Sequence, residues 1–532
     1  MSSINSPIDI TLKPVCSDDH ISRLRTTVYI GNAHYDADEI FDSLPIGLAS
    51  CKCADYTDGK IKACDSRGAV PIEAEKTVGI FGPQISYKFG REVNGTLKVI
   101  YELDTERHDP YARNPGFSIA EHDRGVTVAG VTFLLIPCDK PYEYRVSYDL
   151  SDLPADASSF AGDRSGNFDL TGPSELIKFR YYAIGQLIDF HRKGSKLHII
   201  TLDDDDRFFA ELADTASVYF DYMESFFHDG DEDYSFILYP TRRTELTGTA
   251  LTRCCYLGIG NDRISDVSEI ENVLAHELTH NWCSVQDEEY LSSLFAEATA
   301  EYYSCYMQYH TGQTDLDGYV REINAKLQGY YANPWRDHAY KEVYDKSWTH
   351  AYAQKIPYIK GILMLLKMDS AVKRATDNTK SLDDLILANI DASKSGDVWD
   401  LERFIRETDN LTCGEGSRIL TEVLGEGLMT PPEGFFGDGY ELTLGTIPEF
   451  NEGYDKTVRF TDNVIHGLVP GSNAEKAGLK NGDRIIRTST DSTEPLPLQI
   501  TVNRDGQELS FEYLARGENV SCWQYTKKTD NK

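Results

Sequence analysis

Two histidines four residues apart, with a glutamate beside the first, are the strongest chemical signal in the chain. They lie in Val273-Leu-Ala-His-Glu-Leu-Thr-His-Asn-Trp282 and follow the order H-E-x-x-H. Positions four apart share one face of an α-helix, so His276 and His280 can direct two imidazole nitrogens at one zinc ion. Glu277 leans over the same edge and can act as a base on a water beside the metal. Val273, Leu274 and Leu278 predict a buried helix, and Asp266 or Ser268 is the expected cap at its start.

Two imidazoles leave zinc short of a protein ligand. The next predicted helix, from Glu289 to His310, contains Leu294-Phe-Ala-Glu-Ala-Thr-Ala-Glu-Tyr302. Leu294, Ala298, Tyr302 and Cys305 form its inward stripe, with Glu297 and Glu301 one turn apart beside it. A carboxylate there is costly unless bound or paired, which makes Glu297 the expected third ligand. Glu301 then becomes an acceptor that orients a ligating imidazole through its other N–H. Glu288 and Glu289 fit less well, because acids at a helix start already complement the dipole.

The elements that must hold these residues change character along the chain. The 532 residues predict several domains. Residues 1–165 carry β-rich runs at Arg23–Ile30, Thr96–Glu102, Val126–Pro137 and Tyr144–Tyr148, and predict an antiparallel β-domain. A polar stretch from Asp152 to Gly172 reads as a link. Residues 166–435 begin with short strands at Leu197–Thr201, Phe236–Tyr239 and Cys254–Ile259, around a helix in Asp206–Phe227. Helices then follow at about 266–283, 289–310, 315–329, 350–375, 381–390 and 398–408. Residues 436–532 return to short strands. There, Val469-Pro-Gly-Ser-Asn-Ala-Glu-Lys-Ala-Gly-Leu-Lys-Asn-Gly-Asp-Arg-Ile-Ile486 predicts a short helix capped by Ser472 or Asn473, a tight Asn481-Gly482-Asp483 turn and a strand. This segment resembles part of a PDZ domain. The predicted class is a multidomain α+β protein.

The formal net charge of −33 argues against nucleic acid or an anionic membrane as a partner. No basic segment followed by an apolar run opens the chain, and no stretch of about eighteen apolar residues occurs. Eleven scattered cysteines, including Cys51-Lys-Cys53 and adjacent Cys254-Cys255, fit reduced thiols and a cytoplasmic location.

His276-Glu-Leu-Thr-His-Asn-Trp282 with Leu294-Phe-Ala-Glu297 is similar to the gluzincin metallopeptidases, whose third ligand is a glutamate on the following helix. The chain more closely resembles the glycyl aminopeptidase family, which combines an N-terminal β-domain, a thermolysin-like catalytic domain and a C-terminal PDZ domain. The likeness covers most of residues 125–490 and extends to Asn333-Pro-Trp-Arg336, Tyr358-Ile-Lys-Gly361 and Ser381-Leu-Asp-Asp384. Sixteen residues separate His280 from Glu297, a shorter interval than in related peptidases, which reads as a trimmed loop. The resemblance implies one zinc ion and hydrolysis of peptide or protein substrates. It also implies that Tyr358 hydrogen-bonds the oxyanion, and Pro357 predicts a first-turn position for that tyrosine.

One departure bears on selectivity. The family holds the substrate's ammonium with an acid on a strand before the zinc helix, whereas Gly248-Thr-Ala-Leu-Thr-Arg-Cys254 has none. Glu245 is a nearby substitute, and Arg253 would repel an ammonium. Aminopeptidase action is therefore expected beside two alternatives: an endopeptidase, or a non-catalytic zinc-containing scaffold that binds partners through its PDZ-like domain.

Overall fold

The computed structural model describes residues 7–17, 20–48, 51–53, 60–79, 82–107, 114–203, 208–229, 232–241, 246–260, 267, 270–347, 349–458, 463–488 and 496–528. Two compact units emerge, residues 1–217 with 231–267 and residues 218–230 with 268–532.

The first unit is built on sheets. A seven-stranded sheet centres on Pro7–Ser17, His20–Tyr35 and Val93–Asp104. Burial along His20–Tyr35 largely alternates, with Leu24, Val28 and Ile30 inside, as a strand with one face on a core requires. The sheet is mixed: Pro7–Ser17 pairs antiparallel with His20–Tyr35 and parallel with Tyr142–Tyr148. A six-stranded sheet includes Gly125–Ala129, Tyr181–Gly185 and Ser158–Ala161.

Two expectations are corrected here. The stretch from Asp152 to Gly172 is not a link. Its Ser158–Ala161 pairs with Tyr181–Gly185, and its Phe168–Gly172 pairs with Tyr142–Tyr148. Serines beside Phe160, one of them buried, and exposed Asp169 and Thr171 after Phe168 disguise these strands as loop. Nor is Val126–Pro137 one strand, because the chain turns into a 3-10 helix at Gly130–Thr132. A side chain at Gly130 would sit 2.7 Å from the Lys178 carbonyl, so glycine permits this close approach.

A five-stranded sheet, ordered Ile188–Phe190, Leu197–Thr201, Tyr234–Thr241, Cys254–Gly260 and Thr247–Leu251, also belongs to this unit. Helix α1 (Glu175–Lys178) also belongs to it, and α2 (Phe209–Phe226) continues from it into the second unit.

The second unit is mainly helical: α3 (Glu271–Thr279), α4 (Glu289–His310), α5 (Leu316–Ala332), α6 (Tyr340–Ser347), α7 (Ala351–Ala375), α8 (Leu382–Lys394), α9 (Leu401–Thr412) and α10 (Glu415–Leu424). Helix α7 is the hub, packing against α4, α5, α6, α9 and α10. Ser381 and Asp384 close a reciprocal capping box at the start of α8. Asp266 and Ser268, the expected caps of α3, lie outside the described residues; Ile270 occupies the N-cap position.

Beyond α10, Tyr440–Phe450 pairs antiparallel with Arg516–Lys527, and Asn324 of α5 exchanges two 2.8 Å hydrogen bonds with the Tyr525 backbone. A three-stranded sheet (Arg484–Thr488, Leu498–Arg504, Gln507–Tyr513) packs with α11 (Asn473–Ala477) around Ile465, Ala474, Leu479, Ile500 and Val502. Ser472 caps α11, accepting from Glu475 N, and Asp483 after the Asn481-Gly482 turn pairs with Arg504.

Candidate metal centre

Helices α3, α4 and α7 bring the predicted residues together. His276 and Glu277 end the second turn of α3, and His280 follows at its C-cap, still in helical conformation. Their Nε2 atoms lie 3.2 Å apart. Glu297 of α4 adds Oε2 at 3.4 Å from His276 Nε2 and 3.7 Å from His280 Nε2. That oxygen is buried and has no hydrogen-bond partner among the described residues, because the imidazoles approach it without hydrogen-bond geometry. Three donor atoms thus converge on one point.

The arrangement fits zinc. Bonds of about 2.0–2.2 Å at tetrahedral angles separate neighbouring donors by about 3.3–3.5 Å, close to the three edges observed. Two nitrogens and one oxygen are also the ligand types that zinc accepts in hydrolytic sites.

The flank of the cluster fixes its orientation. His276 Nδ1 lies 3.2 Å from Glu301 Oε1, and Lys326 Nζ of α5 lies 2.5 Å from Glu301 Oε2. The lysine is the component that sequence reasoning missed. It joins from a different helix, 25 residues beyond Glu301, and no local spacing signals it. Burial works against a charged His276, yet the nearby Glu297 and Glu301 carboxylates outweigh it, pushing His276 up to about 10. At His280, burial prevails and lowers the pKa. For Glu301, burial favours the neutral acid, but Lys326 and His276 hold the carboxyl far below its usual range. The carboxylates thus favour positive charge at His276, while burial disfavours it at His280.

Tyr358 stacks on His276, with ring centroids 5.8 Å apart and planes 17° apart. Its position depends on Gly361. A Cβ there would lie 2.8 Å from the Ala298 Cβ, so α7 packs directly on α4 one residue from Glu297. The first-turn expectation for Tyr358 is corrected: α7 begins at Ala351 with His350 as its N-cap, and Pro357 lies inside the helix. Pro357 lacks the N–H that would bond the Ala353 carbonyl, a cost the buried packing of α7 must offset.

Gly248 and its neighbours form the edge strand Thr247–Leu251, paired with Cys254–Gly260. Arg253 pairs with Glu232 at 3.0 Å, while Glu245 lies outside the described residues. Cys254 and Cys255 are buried and are not joined in a disulfide. No described helix is long and apolar enough to cross a membrane.

No protein-family model and no curated protein sequence matches the chain. Solved structures do. An aminopeptidase N family protein from Idiomarina loihiensis superimposes over 98% of this chain and 98% of its own, with a TM-score of 0.66 and 14% identity. Native yeast LTA4 hydrolase matches 81% of this chain and 69% of its own, with a TM-score of 0.50 and 12% identity. An M1 zinc metallopeptidase from Deinococcus radiodurans matches 80% of this chain and 94% of its own, with a TM-score of 0.45 and 16% identity. The first two likenesses establish a shared multidomain α+β fold.

Proposed function

We propose that the protein is a zinc-dependent peptide hydrolase of the gluzincin type, acting as an aminopeptidase. The observation that carries this reading is the convergence of His276 Nε2, His280 Nε2 and Glu297 Oε2, with Glu277 on the same helix. Zinc held there would polarise a peptide carbonyl and lower the pKa of a neighbouring water from 15.7 towards about 7. Glu277 takes the proton of the attacking water and passes it to the leaving amine. Tyr358 donates its phenolic hydrogen to the carbonyl oxygen as charge builds, worth about 3–4 kcal/mol. Glu301 accepts from His276 Nδ1–H, fixing the tautomer that leaves Nε2 with a lone pair, and Lys326 holds Glu301 in turn. In this reading residues 436–532 form a PDZ-like module, supported by the capped α11 and the turn into Arg484–Thr488.

A second reading, endopeptidase action, is favoured by one observation: Gly248–Cys254 carries no acid to hold a substrate ammonium. Matched peptides with free and acetylated N-termini separate the two. Aminopeptidase action predicts cleavage of the free peptides alone, lost on chelation and restored by zinc. Equal cleavage of acetylated peptides would favour the second reading. Cleavage that survives chelation would remove both.

A further inference from the structure

We infer that the hairpin Ile188–Phe190/Leu197–Thr201 carries a second site for a divalent transition metal, formed by Asp189, His191 and His198. It shares no residue with the His276 cluster.

Strand register creates the site. Ile188 pairs with Thr201 and Phe190 with Ile199, and the same register carried one residue further sets His191 opposite His198. Asp189 and His191 are two residues apart, so alternation brings both to the face that carries His198. The Asp189 carboxylate oxygens lie 2.9 and 3.1 Å from His198 Nδ1, and Oδ2 lies 3.5 Å from His191 Nδ1. The His191 and His198 rings are 5.3 Å apart between centroids. One donor from each residue lies within 4.8 Å of the other two, a spread that small side-chain rotations convert into a three-ligand set. Two imidazoles and one carboxylate suit zinc, copper or nickel better than calcium or magnesium.

Two further observations point to a ligand. His198 has its other nitrogen, Nε2, 3.8 Å from Asp233 Oδ2, and its ring packs on Phe160 at 5.0 Å. At that separation the Asp233 carboxylate acts on the far nitrogen through its charge, which favours a cation on the imidazole. Asp189 and His198 also line a cavity of about 470 Å³ together with Tyr148, Ser159, Phe160 and Asn167. Tyr148 and Ser159 each carry a buried hydroxyl with no hydrogen-bond partner among the described residues. Unsatisfied hydroxyls on residues of the same cavity suit an oxygen-bearing molecule held in it.

The test is zinc stoichiometry. The full-length protein is equilibrated with micromolar free Zn²⁺, and bound zinc is counted by elemental analysis. The expected count is two ions per chain, falling by one in His191→Gln and by one in His198→Gln, with peptide hydrolysis unchanged. His191 is half exposed, so its variant keeps the test valid even if His198→Gln folds poorly. A count that does not fall in His191→Gln overturns the inference, whatever the His276 cluster binds. A single ion that persists in His276→Ala and is lost in His191→Gln would support the hairpin site and remove the other.

Discussion

Two buried histidine–carboxylate clusters stand out among the described residues, and their difference separates a candidate site from a support. In the first unit, His122 Nδ1 lies 2.8 Å from Asp203, and its Nε2 lies 2.9 Å from the Thr127 hydroxyl and 3.3 Å from that of Tyr256. Hydroxyl, imidazole and carboxylate stand in the order of a nucleophilic triad. Yet the His122 side chain is 1% exposed and Thr127 fully buried, so no substrate reaches the hydroxyl. The two ring nitrogens also find partners in different directions, which satisfies both. At His276, by contrast, Nε2 faces another imidazole nitrogen and a carboxylate oxygen with no hydrogen-bond partner among the described residues. A histidine whose two nitrogens are each held by a separate buried partner makes a support, whereas ligand atoms from three side chains drawn towards one common point suit a cation.

Three substitutions sharpen this contrast. Of these three, Tyr358→Phe is expected to lower catalysis most, since it keeps the ring on His276 and removes only the hydroxyl. kcat should fall about 10²–10³-fold with zinc content unchanged, the loss typical of one oxyanion donor. Undiminished kcat would assign the donor elsewhere. His122→Asn should do the reverse, lowering unfolding free energy in urea by about 3 kcal/mol because it removes the imidazole held by buried Asp203. Activity of the folded fraction should stay within about twofold, and a large loss in kcat at unchanged stability would make His122 part of the chemistry. The mildest effect belongs to Lys326→Met, which frees Glu301 to swing from His276. Zinc affinity, measured by chelator competition, should weaken about 10–100-fold, and an unchanged affinity would reduce the lysine to simple charge balance.

How much of this was legible from sequence follows the range of each interaction. The H-E-x-x-H helix and Glu297 could be read because helical periodicity is local, and a carboxylate beside the Leu294–Tyr302 stripe needs a partner. Helix α6 was missed: only Tyr340, Val343 and Ser347 are buried in it, too few to announce a face. Lys326 and the pairing of Asp189 with His198 depend on which elements become neighbours, and residue spacing does not encode that. The strands at Ser158 and Phe168 read as a link because their outward residues are polar. Pro357 misled because proline usually marks a helix start, whereas packing around α7 carries this one inside.

The most direct test of the central claim is hydrolysis by Glu277→Gln, which keeps the shape of the side chain and removes the base. The His276–His280–Glu297 zinc should remain bound while peptide hydrolysis falls by at least about 10²–10⁴-fold. Near-normal hydrolysis with that zinc in place would contradict the account.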